Sequence, residues 1–142
     1  MTAPAPHDEI RAALRAHGLR VTPQRLAVHT ALRALGRHAT AEDVLERVHG
    51  TVPGVSLPTV YADLELLADL GLASRFHAGR AIRYDPRADP HHHFVCDTCG
   101  AVIDLDAAVD LAPALAGLRA AGAEPAGGEV LVRGRCAACA AA

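Results

Sequence analysis

Aromatic residues are almost missing from this 142-residue chain, which has two Tyr, two Phe and no Trp. With only Tyr61, Phe76, Tyr84 and Phe94 to draw on, any core must be aliphatic, built from Leu, Val, Ile and Ala. Lysine is absent as well, so all fourteen basic residues are Arg. No long uncharged apolar run exists. The most apolar stretch, AVIDLDAAVDLAPALAGLRAAGA, carries Asp104, Asp106 and Asp110, which excludes a bilayer-spanning helix. The opening MTAPAPHDEI has neither the basic flank nor the apolar centre of a signal peptide. A cytoplasmic chain without a membrane span is therefore expected. Apolar residues make up 51% and charged residues 21%, the balance of a globular protein rather than a disordered one. A chain of this length holds one ordinary domain or two small ones.

Net charge is −2, too small to point to nucleic acid, but its distribution says more. Up to Tyr84, ten Arg face eight acids; from Asp85 onward, four Arg face eight, so the halves carry +2 and −4. Within the first forty residues six Arg face only Asp8 and Glu9. A basic part followed by an acidic one suggests two modules with different partners. Scattered Arg on solvated helix faces is the plainer explanation and stays open here.

The first half reads as short, well-punctuated helices. HDEIRAALRAHG has Ile10, Leu14 and His17 at helical spacing and Gly18 to end it. Thr22 and Pro23 suit the N-cap and first helical position of PQRLAVHTALRALG, with a stripe Leu26, Thr30, Arg33 flanked by Val28, Leu32 and Leu35, closed by Gly36. Thr40 caps AEDVLERVHG, whose buried face is Val44, Leu45 and Val48. Ser56 starts LPTVYADLELLADLG, with the stripe Val60, Leu64, Leu67 and Leu70. Two strands, LASRF and AIRYD, then flank a loop containing Gly79. A helix pair followed by a hairpin bearing Arg75, Arg80 and Arg83 is the layout of a winged helix-turn-helix, in which the second helix enters the major groove and the wing touches phosphates.

The texture changes after Tyr84. HHHFVC and AVIDL predict strands around a Cys-x-x-Cys turn, LAPALAGLRAAG a helix capped by Asp110, and EVLVRGRC a last strand. The expected organisation is residues 1–84 as the winged helix, 85–90 as a hinge around PRADP, and 91–142 as a second domain. Cys96 and Cys99, then Cys136 and Cys139, form two Cys-x-x-Cys pairs with 36 residues between them. Two such turns aim four thiolates at one point and complete a closed tetrahedral zinc site. A unit of fewer than sixty residues with a single Phe cannot bury much core, and a metal staple supplies the missing stability. A redox pair of disulfides and free structural thiols are the alternatives.

If HHHFVC is extended, His91, His93 and Val95 face one way and His92, Phe94 and Cys96 the other. His91 and His93 are then an i, i+2 pair able to grip a second metal, with Asp104 on the neighbouring strand and Asp85 just upstream. This imidazole and carboxylate mix suits Fe(II), Mn(II), Co(II) or Zn(II), and two carboxylates favour the harder ions. A surface His cluster that binds nothing is the competing reading.

The segments GLRVTPQRLAVHTAL, HATAEDVLERV, SLPTVYADLELLADLGL, RYD, HHHFVCDTCGAVIDL and GRCAAC together resemble the ferric uptake regulator family of metal-dependent bacterial repressors, over nearly the whole chain. The resemblance implies an α+β fold, an N-terminal winged helix-turn-helix joined to a small C-terminal α/β dimerisation domain. It implies a homodimer on palindromic operator double-stranded DNA. It implies structural Zn2+ at Cys96, Cys99, Cys136 and Cys139, and a sensor metal, Fe2+ or Mn2+, at His38, Asp85, His91, His93 and Asp104. His38 enters that set through the resemblance alone. Metal binding would then fix the angle between two DNA-reading heads. The pair Asp85 and Asp104 looks most like the peroxide-sensing members, where Fe(II) oxidises a histidine ligand and DNA is released. Zinc-uptake regulators of the family, the alternative, usually place a cysteine among the sensor ligands, and here all four are taken. Positions that carry a further metal site in some relatives align with Leu111 and Gly128, which implies no third site. The chain departs from relatives after Thr-Val-Tyr, where Ala62, Asp63 and Glu65 stand in place of frequent Arg or Asn. Acids facing phosphate would weaken binding, so DNA affinity is expected to rest on Arg20, Arg25, Thr59, Tyr61 and the wing residues Arg75 and Arg80, with Tyr61 suited to a thymine methyl or to core packing.

An enzyme is disfavoured. Zinc deaminases pair His-x-Glu with Pro-Cys-x-x-Cys, whereas here His91–His93 reads His-His-His and Val95 precedes Cys96. A metallohydrolase on His91, His93 and Asp85 would want pocket-forming loops around a base such as Asp104. A thiol redox switch, in which both Cys-x-x-Cys pairs lose zinc and form disulfides, is the other rival.

Overall fold

The computed structural model describes residues 5, 7–36 and 38–142, and the MTAPAPHDEI reading falls partly outside them. The chain divides into two compact units, Met1–Ala88 and Asp89–Ala142.

In the first unit, α1 spans Asp8–Ala16 and buries Ile10 and Leu14. His17, expected on that stripe, is instead exposed at the C-cap, its Nδ1 bonded to the Ala13 carbonyl at 2.9 Å. Helix α2, Pro23–Leu35, begins where the Thr22 hydroxyl accepts the Arg25 N–H and ends at Gly36 in the left-handed region. Its buried face is Val28, His29, Ala31 and Leu32, so the expected Leu26–Thr30–Arg33 stripe is off centre. Thr30 and Arg33 are solvated, and the apolar residues placed as flanks are the ones that reach the core. Helix α3, Ala41–Val48, opens with a reciprocal capping box between Thr40 and Asp43 and buries Ala41, Val44 and Val48. Helix α4, Leu57–Asp69, is capped by Ser56 and buries Val60, Asp63, Leu64 and Leu67.

Strands β1, Ser74–Ala78, and β2, Ala81–Asp85, pair antiparallel with Ala78 opposite Ala81. The hairpin loop is thus Gly79-Arg80, with only Gly79 at positive φ, the glycine-first order of a type II′ turn. The helices and hairpin enclose an aliphatic cluster running from Ile10 and Leu14 through Leu32, Val44 and Leu64, closed by the fully buried Tyr84.

In the second unit, β3 (His92–Cys96) is the centre of a three-stranded sheet. It pairs antiparallel with β4 (Val102–Leu105) and parallel with β5 (Leu131–Gly134), the crossover carrying α5 (Ala112–Ala120). Asp110 supports α5 from one residue before its cap, accepting the Ala112 N–H. A short helix α6, Ala137–Ala141, follows β5 and was not anticipated: the second Cys-x-x-Cys opens a helical turn with Cys136 at its N-cap. The only buried hydrophobic residues in this unit are Val95 and Cys96, and α5 buries none. Apolar burial on that scale does not hold a separate unit together. Among the described residues, no helix is long and apolar enough to cross a membrane.

Candidate metal centres

Cys96 closes β3, Cys99 lies in the turn that follows, and Cys136 and Cys139 sit at the start of α6. Their four sulfurs all lie within 4.8 Å of one another, with Cys99 Sγ and Cys136 Sγ 3.8 Å apart. A tetrahedron of thiolates about 2.3 Å from zinc has edges of about 3.8 Å, whereas a disulfide needs about 2.0 Å, and all four cysteines are free. The donor set therefore fits a closed tetrathiolate zinc site. Backbone N–H groups prepare it. That of Cys136 donates to Cys96 Sγ at 3.3 Å, and with the Cys99 N–H it holds the Cys96 thiol down at about 6. Cys139 is pushed up to about 12, first by its hydrogen bond to Cys136 and then by that to Cys99.

On β3 the expected alternation is observed. His91, His93 and Val95 are buried, while His92 and Phe94 are half-buried on the other face. Cross-strand pairing sets His93 opposite Asp104. His93 Nε2 and His91 Nε2 are 2.9 Å apart, and Asp104 Oδ1 lies 3.4 Å from His91 Nε2 and 3.7 Å from His93 Nε2. Ligands about 2.1 Å from one cation are about 3.0 Å apart at right angles and about 3.6 Å apart at trigonal angles, and separations of 2.9, 3.4 and 3.7 Å lie close to that range, so small adjustments seat these three donors around one ion. His91 Nδ1 donates to the Asp89 carbonyl at 2.8 Å, which fixes the tautomer and turns a lone pair on Nε2 toward the cluster. His92 has a structural role: its Nδ1 accepts the Val130 N–H at 3.0 Å.

In the first unit, His38 Nδ1 and Asp85 Oδ2 approach to 2.8 Å, both largely buried. Asp85 ends β2, and its other oxygen accepts the Arg87 N–H. The backbone holds this pair together, since Ala39 and Tyr84 exchange two N–H···O bonds of 2.8 Å. The Phe76 and His38 rings meet edge to face, their centroids 5.3 Å apart. Leu111 and Gly128 adjoin in the second unit, where a Cβ on Gly128 would sit 3.5 Å from Leu111 Cδ1.

The expected nucleic-acid contacts divide. Arg20 and Arg80 are exposed. Thr59 is partly buried, its hydroxyl 2.9 Å from that of Ser56, and Tyr61 packs against the aliphatic cluster. Arg25 points inward, donating to Asp63 at 3.4 Å and to the Arg20 carbonyl at 2.6 Å. Arg75 pairs with Glu65 and, at 3.5 Å, with Asp69. Both acids are engaged within the fold: Asp63 is 5% exposed, its pKa raised by burial against the opposing effect of Arg25. Glu65 accepts from both Arg75 and the Tyr84 hydroxyl. The spacing Val60, Asp63, Leu64, Leu67 is itself a core stripe and was the signal for a buried Asp63. The Tyr84–Glu65 link, nineteen positions apart, left no such signal.

The sequence matches the Ferric uptake regulator family over residues 16–113. It is 44% identical over 104 residues to ferric uptake regulation protein 1 of Mycolicibacterium fortuitum, a match covering 72% of this chain and 64% of that protein. The chain thus spans a little under two thirds of that relative's length. It is 32% identical over 99 residues to the peroxide-responsive repressor of Staphylococcus aureus, covering 69% of this chain and 67% of that one. The fold is that of the Helicobacter pylori ferric uptake regulator, with a TM-score of 0.78 at 20% identity over 99% of this chain and 97% of the other.

Proposed function

Because the chain belongs to the ferric uptake regulator family, we propose that it is a metal-dependent DNA-binding repressor of the cytoplasm. It acts as a homodimer on a palindromic operator in double-stranded DNA. The four cysteines hold structural Zn2+, and regulatory Fe2+ or Mn2+ is shared between two half-sets, His38 with Asp85 and His91 with His93 and Asp104. The observation that carries this reading is the convergence of His91, His93 and Asp104 beside a separate tetrathiolate. One short strand serves a soft sulfur site and a harder nitrogen-oxygen site, and such different donors select different metals.

The chain's own residues set the terms of the switch. The Asp89 carbonyl presents the His91 lone pair, and the Arg87 N–H leaves Asp85 one oxygen for a cation. A cation bound by both half-sets has ligands that a splayed form cannot supply together, so it shifts the population toward the form that fits the operator. Arg20, Arg80, Thr59 and Tyr61 meet DNA, with Arg25 braced against Asp63 and Arg75 paired at the surface with Glu65 and Asp69. Iron(II) held by these residues would supply the redox chemistry through which peroxide could add oxygen to a ligand histidine and so remove that ligand.

The test is operator binding with Mn(II), Fe(II) or Zn(II), with and without peroxide. Tight binding with manganese or iron, lost after peroxide from the iron form as a histidine gains one oxygen atom, is the expected result. A zinc-uptake regulator would respond to Zn(II) alone. A thiol switch would lose zinc and gain disulfides. His38→Ala is expected to keep the dimer and the structural zinc and lose metal-dependent DNA binding. Unchanged metal-dependent affinity in that variant removes His38 from the sensor set.

A further inference from the structure

Within the first unit, the His38–Asp85 pair and helix α4 are parts of one hydrogen-bonded frame. His38 and Asp85 flank the Ala39–Tyr84 bridge, each one residue along the chain from a bridge partner. From that bridge the fully buried Tyr84 side chain crosses the core, and its hydroxyl donates to Glu65 on α4. Glu65 in turn accepts from Arg75 on β1. A displacement of the Tyr84 backbone that accompanies a change at Asp85 is carried to α4 by a rigid ring, one directed bond and a Glu65 side chain whose other oxygen is held by Arg75.

We infer that the Tyr84–Glu65 hydrogen bond is the strut that transmits metal binding at His38 and Asp85 to the helix that reads DNA, with Tyr84 as its positioning residue. The inference rests on the metal-dependent repressor reading and names the route of its regulation. Coupling of this kind is a property of the pair of sites. It leaves each affinity in isolation intact and changes the factor by which one ligand tightens the other.

The experiment compares wild type, Tyr84→Phe and Glu65→Gln, each with its structural zinc in place. The DNA is a duplex selected from random sequence by the manganese-loaded wild type. Operator Kd is measured with and without Mn(II), and Mn(II) Kd with and without the duplex. Tyr84→Phe keeps the ring and removes only the donor. It should leave Mn(II) affinity of the free protein and metal-free DNA affinity unchanged. Its coupling factor should shrink by roughly fivefold or more, equally in both directions. Glu65→Gln still offers an oxygen to Tyr84 and should keep the coupling although it loses the charge opposite Arg75. Amide hydrogen exchange gives a second readout: Mn(II) should protect residues 57–69 in the wild type and not in Tyr84→Phe. Wild-type coupling that survives in Tyr84→Phe, or that is lost in Glu65→Gln alone, overturns the inference. Absence of coupling in the wild type itself instead overturns the repressor reading on which it rests.

Discussion

At the residue scale, the side chains on the helical unit separate struts from contacts. Arg25 reaches Asp63, whose side chain is 7% exposed against 25% for the arginine. Removing the guanidinium leaves a largely buried carboxyl without its cation. Arg25→Ala should therefore cost about 1–3 kcal/mol, whereas Arg80→Ala at the exposed turn should stay within about 0.5 kcal/mol while weakening DNA binding. Urea unfolding paired with operator titration checks both, and equal stability of the two variants would count against the strut. His29 is 2% exposed, and burial, then the nearby Arg33, lowers its pKa below the ordinary 6.5. The unfolded chain takes up a proton there at a higher pH than the folded one does, so stability should fall as pH drops below about 6.5, until His29's own lowered pKa is reached. His29→Phe should remove that component, seen as a smaller shift in urea midpoint between about pH 8 and about pH 5 than in the wild type.

Elements were legible wherever a local rule decided them. Thr22, Thr40 and Ser56 cap the helices they were expected to cap, and Gly79 turns the hairpin, because caps and turns are settled within a few residues. The stripe on α2 was misplaced because that helix is apolar on more than one face, and only the packed partners choose which face is buried. Among the candidate sites, the cysteine set and the His91, His93, Asp104 set could be read from spacing and from the two-residue period of a strand. The partners of Arg25, Arg75 and Tyr84 could not, since each reaches across the fold. For the sheet of β3, β4 and β5, ligands and fold stand together. Cys96→Ser should unfold that sheet and leave the helical unit cooperative, observed as loss of strand signal with the helical transition retained. A variant that keeps the sheet without zinc would contradict this.

Across the whole molecule, the charge asymmetry runs with the division into units, the basic part coinciding with the helix-turn-helix and hairpin and the acidic part with the three-stranded sheet. Each unit also has its own centre, an aliphatic cluster in one and four converging cysteines in the other. That second arrangement reaches beyond stability. In the parallel ladder between β3 and β5, Cys96 lies opposite Gly134 and His93 opposite Leu131, while the Phe94 ring lies 3.4 Å from where a Cβ on Gly134 would stand. A slip of one residue along a strand turns every side chain to the opposite face. Here a slip of β3 would exchange His91 and His93 for His92 and Phe94 against Asp104. Cys136 follows β5 by two residues, so binding it to the same ion as Cys96 forbids the slip. A zinc ion held by the four cysteines would thus keep the phase of the histidines, and the choice of a regulatory metal at His91, His93 and Asp104 would depend on a different metal having already set the count.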